Sequence, residues 1–91
     1  MVVAIRYYNE AKDSVWVRQN ITGFARTGGK VSFYFSYDID SLEIKFGNIA
    51  DARQLEEWYQ NALVDEENHI FWFCETEDGR TNWGVKEVNH G

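Results

Sequence analysis

Cysteine, proline and long apolar runs are nearly or entirely absent from this 91-residue sequence. A single cysteine excludes an internal disulfide, and no Cys/His cluster with metal-ligand spacing replaces one. The lack of proline favours regular elements joined by tight turns. No run approaches the ~20 apolar residues of a membrane span, and no signal peptide opens the chain. We therefore expect a cytoplasmic protein that does not contact a membrane.

Aromatic and apolar residues, by contrast, are abundant. Aromatics make up 16% of the chain and hydrophobic residues 44%, and each aromatic ring can bury roughly 150–250 Å². That load suits one hydrophobic core, so residues 1–91 are predicted to form a single domain.

The first half of the chain predicts four strands, because apolar side chains recur with the strand period of two. These segments cover residues 2–8, 15–26, 30–37 and 42–46. Gly23 predicts a bend or bulge within the second segment. Gly28 and Gly29 predict a two-residue hairpin turn, and residues 38–41 predict a further turn.

The apolar period then changes to that of a helix. The apolar stripe consists of Ile49, Ala52, Leu55, Trp58, Tyr59, Ala62 and Leu63. Asn48 is the predicted N-cap, with Asp51 reaching back towards it, and the helix is predicted to end near Val64.

The stretch HIFWFCETEDGRTNWGVKEV, residues 69–88, predicts a final hairpin. If Asp78 and Gly79 are the two loop residues, Cys74 pairs with Trp83 and Trp72 with Val85. Apolar residues on both faces predict that the first strand is central or covered on both faces, and is not an edge strand. The complete pattern predicts an α+β fold of order ββββαββ, an antiparallel sheet with one amphipathic helix packed against it.

Catalytic motifs are scarce. Cys74 and His69 lie five residues apart on one predicted strand, so they point to opposite faces and cannot act as nucleophile and base. The segment 27–30 lacks the remaining residues of a phosphate-binding loop, and 38–40 those of a calcium loop. We expect a non-enzymatic protein without metal or cofactor.

Charge is distributed unevenly along the chain, whose net charge is −6. Residues 1–37 carry +3 and residues 38–91 carry −9. The candidate partner-binding acidic surface consists of Glu56, Glu57, Asp65, Glu66, Glu67, Glu75, Glu77 and Asp78. Acids 65–67 lie at the predicted helix C-terminus, where the macrodipole favours cations, which suggests a functional demand. Such a surface would bind a basic protein groove in place of nucleic acid, or would only keep the domain soluble.

A basic and aromatic set on the first strands provides an alternative function. It consists of Arg6, Trp16, Arg18 and Arg26, which on a sheet could stack bases and hold phosphates. The rings could equally face the core, with the arginine heads reaching outward along them. A third alternative is a structural, oligomerising phage-type subunit that pairs through an exposed strand edge.

The segment FGNIADARQLEEWYQNAL, residues 46–63, is similar to the strand–cap–helix segment of some small phage anti-CRISPR proteins. In those proteins Gln-Leu-Glu precedes a Trp-aromatic pair, as Gln54, Leu55 and Glu56 precede Trp58 and Tyr59 here. In size and acidity the chain also resembles toxin immunity proteins. These resemblances imply a stoichiometric inhibitor that covers a basic nucleic-acid site of a protein partner, in a bacterial or phage-infected cell. They imply no catalytic residues and no direct contact with nucleic acid.

Overall fold

A computed structural model of the chain describes residues 3–35, 41–65 and 67–88. Its elements are β1 (Val3–Asn9), β2 (Ser14–Arg18), β3 (Ile21–Thr27), β4 (Lys30–Phe35), β5 (Ser41–Lys45), α1 (Ile49–Val64), β6 (Asn68–Glu75) and β7 (Thr81–Val88). The α+β class and the succession of strands, one helix and two further strands are confirmed. Among the described residues the strands form two sheets, of order β2-β1-β6-β7 and β3-β4-β5.

The predicted strand over residues 15–26 is divided into β2 and β3, which belong to different sheets. Asn20 lies between them with φ 63°, a left-handed conformation that asparagine adopts more readily than most residues. The predicted irregularity near Gly23 is confirmed, because the pairing of β3 with β4 shifts register between Ile21 and Gly23.

The β3–β4 turn matches its sequence pattern. Thr27 pairs with Lys30, and Gly28 has φ 58°, which a side chain would disfavour. The last two residues of the predicted strand over 30–37, and most of the turn predicted at 38–41, lie outside the described residues.

The four-stranded sheet is mixed, because β1 and β6 run parallel while its other neighbours run antiparallel. The parallel register places Val3 opposite His69 and Tyr7 opposite Phe73. β6 is therefore a central strand, as predicted. This pairing joins the two ends of the chain, and no local pattern specifies it.

The predicted register of the β6–β7 hairpin was wrong by one residue. Cys74 lies opposite Asn82 and Trp72 opposite Gly84. Thr76 N donates to Arg80 O at 2.8 Å, and Gly79, with φ 86°, lies inside a three-residue loop. An extra left-handed residue of this kind is the usual way to close a three-residue hairpin, and it moves every pair by one. In consequence Phe73 shares the core face with Trp83.

Helix α1 begins and ends as predicted. The Asp51 backbone amide donates to Asn48 Oδ1 at 2.9 Å, and the Asn48 side-chain amide (Nδ2) donates back to the Asp51 carboxylate at 3.3 Å. Of the predicted stripe, four residues are buried: Ala52, Leu55, Tyr59 and Ala62. Ile49, Trp58 and Leu63 are exposed, so the buried face is narrower than the sequence suggests.

The core lies where the two sheets and α1 meet. Its largest fully buried side chains are Phe33, Phe71, Phe73, Ile5, Leu55 and Val31. Tyr59 of α1 stacks on Phe24 with ring centroids 4.7 Å apart, and meets Phe33 and Phe71 edge-on or tilted. The aromatic residues therefore serve mainly to build this junction, each buried ring contributing about 1.5–3 kcal/mol.

Candidate functional site

At the C-terminal end of α1, Asp65 comes together with one acid of β7, and Glu67 follows it along the chain. Asp65 is the C-cap residue of α1, and its carboxylate accepts a hydrogen bond of 3.1 Å from the Glu67 amide. Glu87 of β7 lies opposite His69 of β6, whose ring approaches both Asp65 and Glu87. The last turn of α1 contains no basic residue. We call Asp65, Glu67 and Glu87 the α1-end acidic surface.

The other predicted acids of the helix lie elsewhere. Glu56 forms an ion pair of 2.6 Å with Arg26 of β3, so its charge is neutralised within the chain. Glu57 is exposed and has no ion partner among the described residues. Glu66 lies outside the described residues.

The three acids of the β6–β7 hairpin form a separate group. Glu75 accepts hydrogen bonds from the Tyr7 hydroxyl and the Asn9 amide. Burial, and then the hydrogen bond to Glu75, raise the pKa of Tyr7 to about 12. Asp78 accepts from Thr76 and lies 3.3 Å from the Arg80 guanidinium. Glu77 is exposed.

The seven predicted acids that the structure describes therefore do not form one continuous surface. The α1-end acidic surface and the hairpin acids lie at opposite ends of β6, roughly 23 Å apart at about 3.3 Å per residue. The sequence shows only how acidic residues are distributed along the chain. In the folded protein, the length of β6 separates the acids near the end of α1 from those of the hairpin.

The predicted basic and aromatic set is also divided. Trp16 packs edge-on against Phe35 of the core at 5.2 Å, and Arg18 lies 5.4 Å above the Trp16 ring. Arg26 is bound to Glu56. Arg6 lies opposite Val17 in the pairing of β1 with β2. Val17 and Trp16 are neighbours in one strand, so their side chains point to opposite faces of the sheet. Arg6 is therefore exposed on the face that Trp16 does not occupy.

That other face of the sheet is an exposed surface that the sequence pattern did not predict. Arg6 lies beside Trp72 in the parallel register, and Val17 and Val15 of β2 extend the face. The Trp72 indole lies against Gly84, where an added Cβ would come within 2.6 Å of the ring. We call Arg6, Val17, Trp72 and Gly84 the outer sheet face. Arg6 and Trp72 lie side by side because β1 pairs with β6. These strands are far apart in the sequence, so no short stretch of it indicates this surface.

A cavity of about 400 Å³ opens between α1 and β7. Trp58 and Val85 provide apolar walls, and Asp65, His69 and Glu87 provide polar ones. Among the described residues, these three polar side chains are also a group with the donor atoms and spacing to hold a metal ion. From the sequence, the one residue paired with His69 as a candidate was Cys74, which lies on the opposite face of β6.

Among the described residues, no helix has the combined length and apolarity required to cross a membrane. Comparisons of the chain with protein-family models, with curated proteins and with solved structures found no match.

Proposed function

We propose that this protein is a non-catalytic inhibitor or immunity-type domain that binds a basic surface of a protein partner through its α1-end acidic surface. The supporting observation is the lack of basic counter-charge at that surface. Among the described residues, Asp65 and Glu87 face only His69, and the Glu67 side chain has no ion partner. Lysine or arginine residues of a partner would supply the missing positive charge.

An exposed aromatic residue beside the acids supports a protein partner. Trp58 is 41% exposed and rests on Trp83, with ring centroids 5.2 Å apart. A tryptophan held in this way offers a rigid surface to a partner's arginine, a combination that is enriched among the strongest interface contacts.

The resemblance of residues 46–63 to anti-CRISPR helices suggests which partners to test first. These are CRISPR nuclease complexes, whose nucleic-acid grooves are lined by lysine and arginine. On this proposal the protein acts in the cytoplasm of a bacterial or phage-infected cell and occupies such a groove in place of phosphates.

Charge reversal at matched positions tests the proposal. Glu67→Lys changes the α1-end acidic surface, and Glu77→Lys makes the same change at another exposed residue, at the far end of β6. Partners captured from bacterial lysate, and purified CRISPR nucleases, are titrated with both variants at low and high salt. We expect Glu67→Lys to weaken binding to the partner and Glu77→Lys to leave it unchanged. The affinity of the wild type should fall as the salt concentration rises. Affinity that is independent of salt and of Glu67→Lys refutes the proposal.

A second candidate function is direct nucleic-acid binding by the outer sheet face. The observation in its favour is Trp72, 37% exposed on a sheet face and adjacent to Arg6. Base stacking on such a ring is worth about 1–3 kcal/mol per base. Titration with single-stranded DNA and RNA, using Trp72→Ala and the matched control Trp58→Ala, separates the two functions. Binding lost only in Trp72→Ala would favour this alternative, whereas the inhibitor binds neither nucleic acid.

A further inference from the structure

Three side chains from different elements converge at the base of the cavity between α1 and β7. His69 Nε2 lies 3.6 Å from Asp65 Oδ2 and 3.7 Å from Glu87 Oε1. The three donor atoms all lie within 4.8 Å of one another. The β6–β7 register sets His69 opposite Glu87, and the end of α1 places Asp65 four residues before the histidine.

The histidine is buried and its ring orientation is fixed. His69 is 6% exposed, and its Nδ1 lies 3.0 Å from the Glu67 carbonyl oxygen. A carbonyl only accepts hydrogen bonds, so Nδ1 carries the proton in the neutral ring and the Nε2 lone pair points towards the carboxylates. A backbone carbonyl that holds the far nitrogen of the ring is the usual second contact of metal-binding histidines.

The separations suit a metal ion better than direct contact. Both are longer than the 3.2 Å expected of a good N–H···O hydrogen bond. Ligand atoms placed tetrahedrally at about 2.0–2.1 Å from Zn²⁺ lie roughly 3.4 Å from one another. The two histidine separations exceed that value by only about 0.2–0.3 Å. The Asp65 and Glu87 oxygens lie within 4.8 Å of each other and would have to approach by up to about 1.4 Å, a movement open to two partly exposed carboxylate side chains.

We propose that Asp65, His69 and Glu87 form a binding site for one divalent transition-metal ion of the Zn²⁺ type. One imidazole with two carboxylates favours zinc and its neighbours over magnesium or calcium, which take oxygen ligands in greater number. The cavity that these three residues line together with Trp58 has room for water or a ligand group as a fourth ligand. Three protein ligands leave one position open, unlike the four protein ligands of a closed structural zinc site, so a group of a partner or a water molecule could complete the coordination.

The metal site shares Asp65 and Glu87 with the α1-end acidic surface, so a bound ion would reduce the negative charge there. Its test needs no partner protein, and the two proposals can therefore fail separately. The side chains of Glu67 and Glu77, which test partner binding, are not ligands of the metal. A bound ion would join the end of α1 to β6 and β7, so it would stabilise the fold through metal binding to the native state alone.

The chain offers a matched control because it contains two histidines, His69 and His90. Full-length protein without a polyhistidine tag is freed of metal with a chelator and titrated with Co²⁺ and then Zn²⁺. Binding is followed by visible absorption, calorimetry and the melting temperature. We expect one ion per chain, a tetrahedral Co²⁺ spectrum that Zn²⁺ abolishes, and a raised melting temperature. His90→Gln should bind as the wild type does, and His69→Gln should not bind.

Glu87→Gln keeps the experiment decisive if His69→Gln fails to fold. Its side chain is 58% exposed, so circular dichroism should show a native fold, while affinity falls by at least about 10-fold, as it does when even an outer contact of a metal ligand is removed. Absence of one-to-one binding in the wild type, or unchanged affinity in Glu87→Gln, overturns the proposal.

Discussion

Replacing Gly84 by alanine should have effects of opposite sign depending on whether Trp72 is present. In the wild type, the new Cβ would lie 2.6–2.8 Å from three atoms of the indole, whereas ordinary contacts are about 3.5–4.0 Å. The ring must therefore move by about 1 Å or swing off the sheet. Overpacking of this kind costs about 1–3 kcal/mol.

The alanine also brings a gain, because glycine inside a strand is roughly 0.5–1 kcal/mol less favourable than alanine. The φ of Gly84 lies outside the left-handed region, so alanine adds no backbone strain. We expect Gly84→Ala to lower the free energy of unfolding by about 0.5–2 kcal/mol in the wild type. In a Trp72→Ala background the same change should raise it by about 0.5–1 kcal/mol.

Urea unfolding of the four proteins, followed by far-ultraviolet circular dichroism, measures this double-mutant cycle. Circular dichroism is chosen because Trp72→Ala alters the fluorescence. A coupling energy near zero, with Gly84→Ala stabilising both backgrounds equally, would show that the indole does not rest on Gly84.

Three further predictions concern the core, the helix and one tyrosine. Phe71→Ala removes a fully buried ring and should lower the free energy of unfolding by about 3–5 kcal/mol in urea. Asn48→Ala removes the N-cap of α1 and should cost about 1 kcal/mol, visible as a lower melting temperature, whereas Asn48→Gly should cost only a few tenths. Tyr7 should ionise near pH 12 rather than 10 in an ultraviolet titration, and Glu75→Gln should lower its pKa only partly because burial remains.

The sign of the tyrosine effect on stability follows from linkage. Folding raises the pKa of Tyr7 from 10 to about 12. Its neutral hydroxyl therefore contributes fully to the free energy of unfolding below pH 10, and this contribution is lost as the pH rises towards 12. A normal titration of all the tyrosines would contradict the buried placement. Equal losses for Phe71→Ala and for the surface change Glu77→Ala would contradict the core, and Asn48→Ala without effect would contradict the cap.

Elements whose hydrogen bonds are local could be predicted from the sequence. The cap at Asn48, the end of α1 near Val64 and the turn at Gly28 all depend on groups within a few residues of one another. Their signals are therefore contained in short stretches of sequence. The existence of the last hairpin was equally clear from Asp78 and Gly79.

Candidate sites were predicted less well, because charge along a chain does not report position in space. Glu56 was assigned to a partner-binding surface, yet Arg26 of β3 neutralises it. Arg6 and Trp16 were assigned to one surface, although the two point to opposite faces of the sheet. Trp72, exposed beside Arg6, belonged to no predicted site.

By itself, the sequence determined the class of fold, the limits of its helix and the hairpin turns at Gly28 and Gly79, since each follows from interactions between neighbouring residues. It did not predict the break at Asn20 between β2 and β3. Tertiary structure alone decided that β1 and β6 pair in parallel, that Gly79 extends the hairpin loop by one residue, and that His69 meets Asp65 and Glu87. The physical reason is that strand pairing is a competition among distant segments for the same core. The pattern of apolar side chains in a strand indicates which of its faces is buried, but it does not specify which other strand pairs with it.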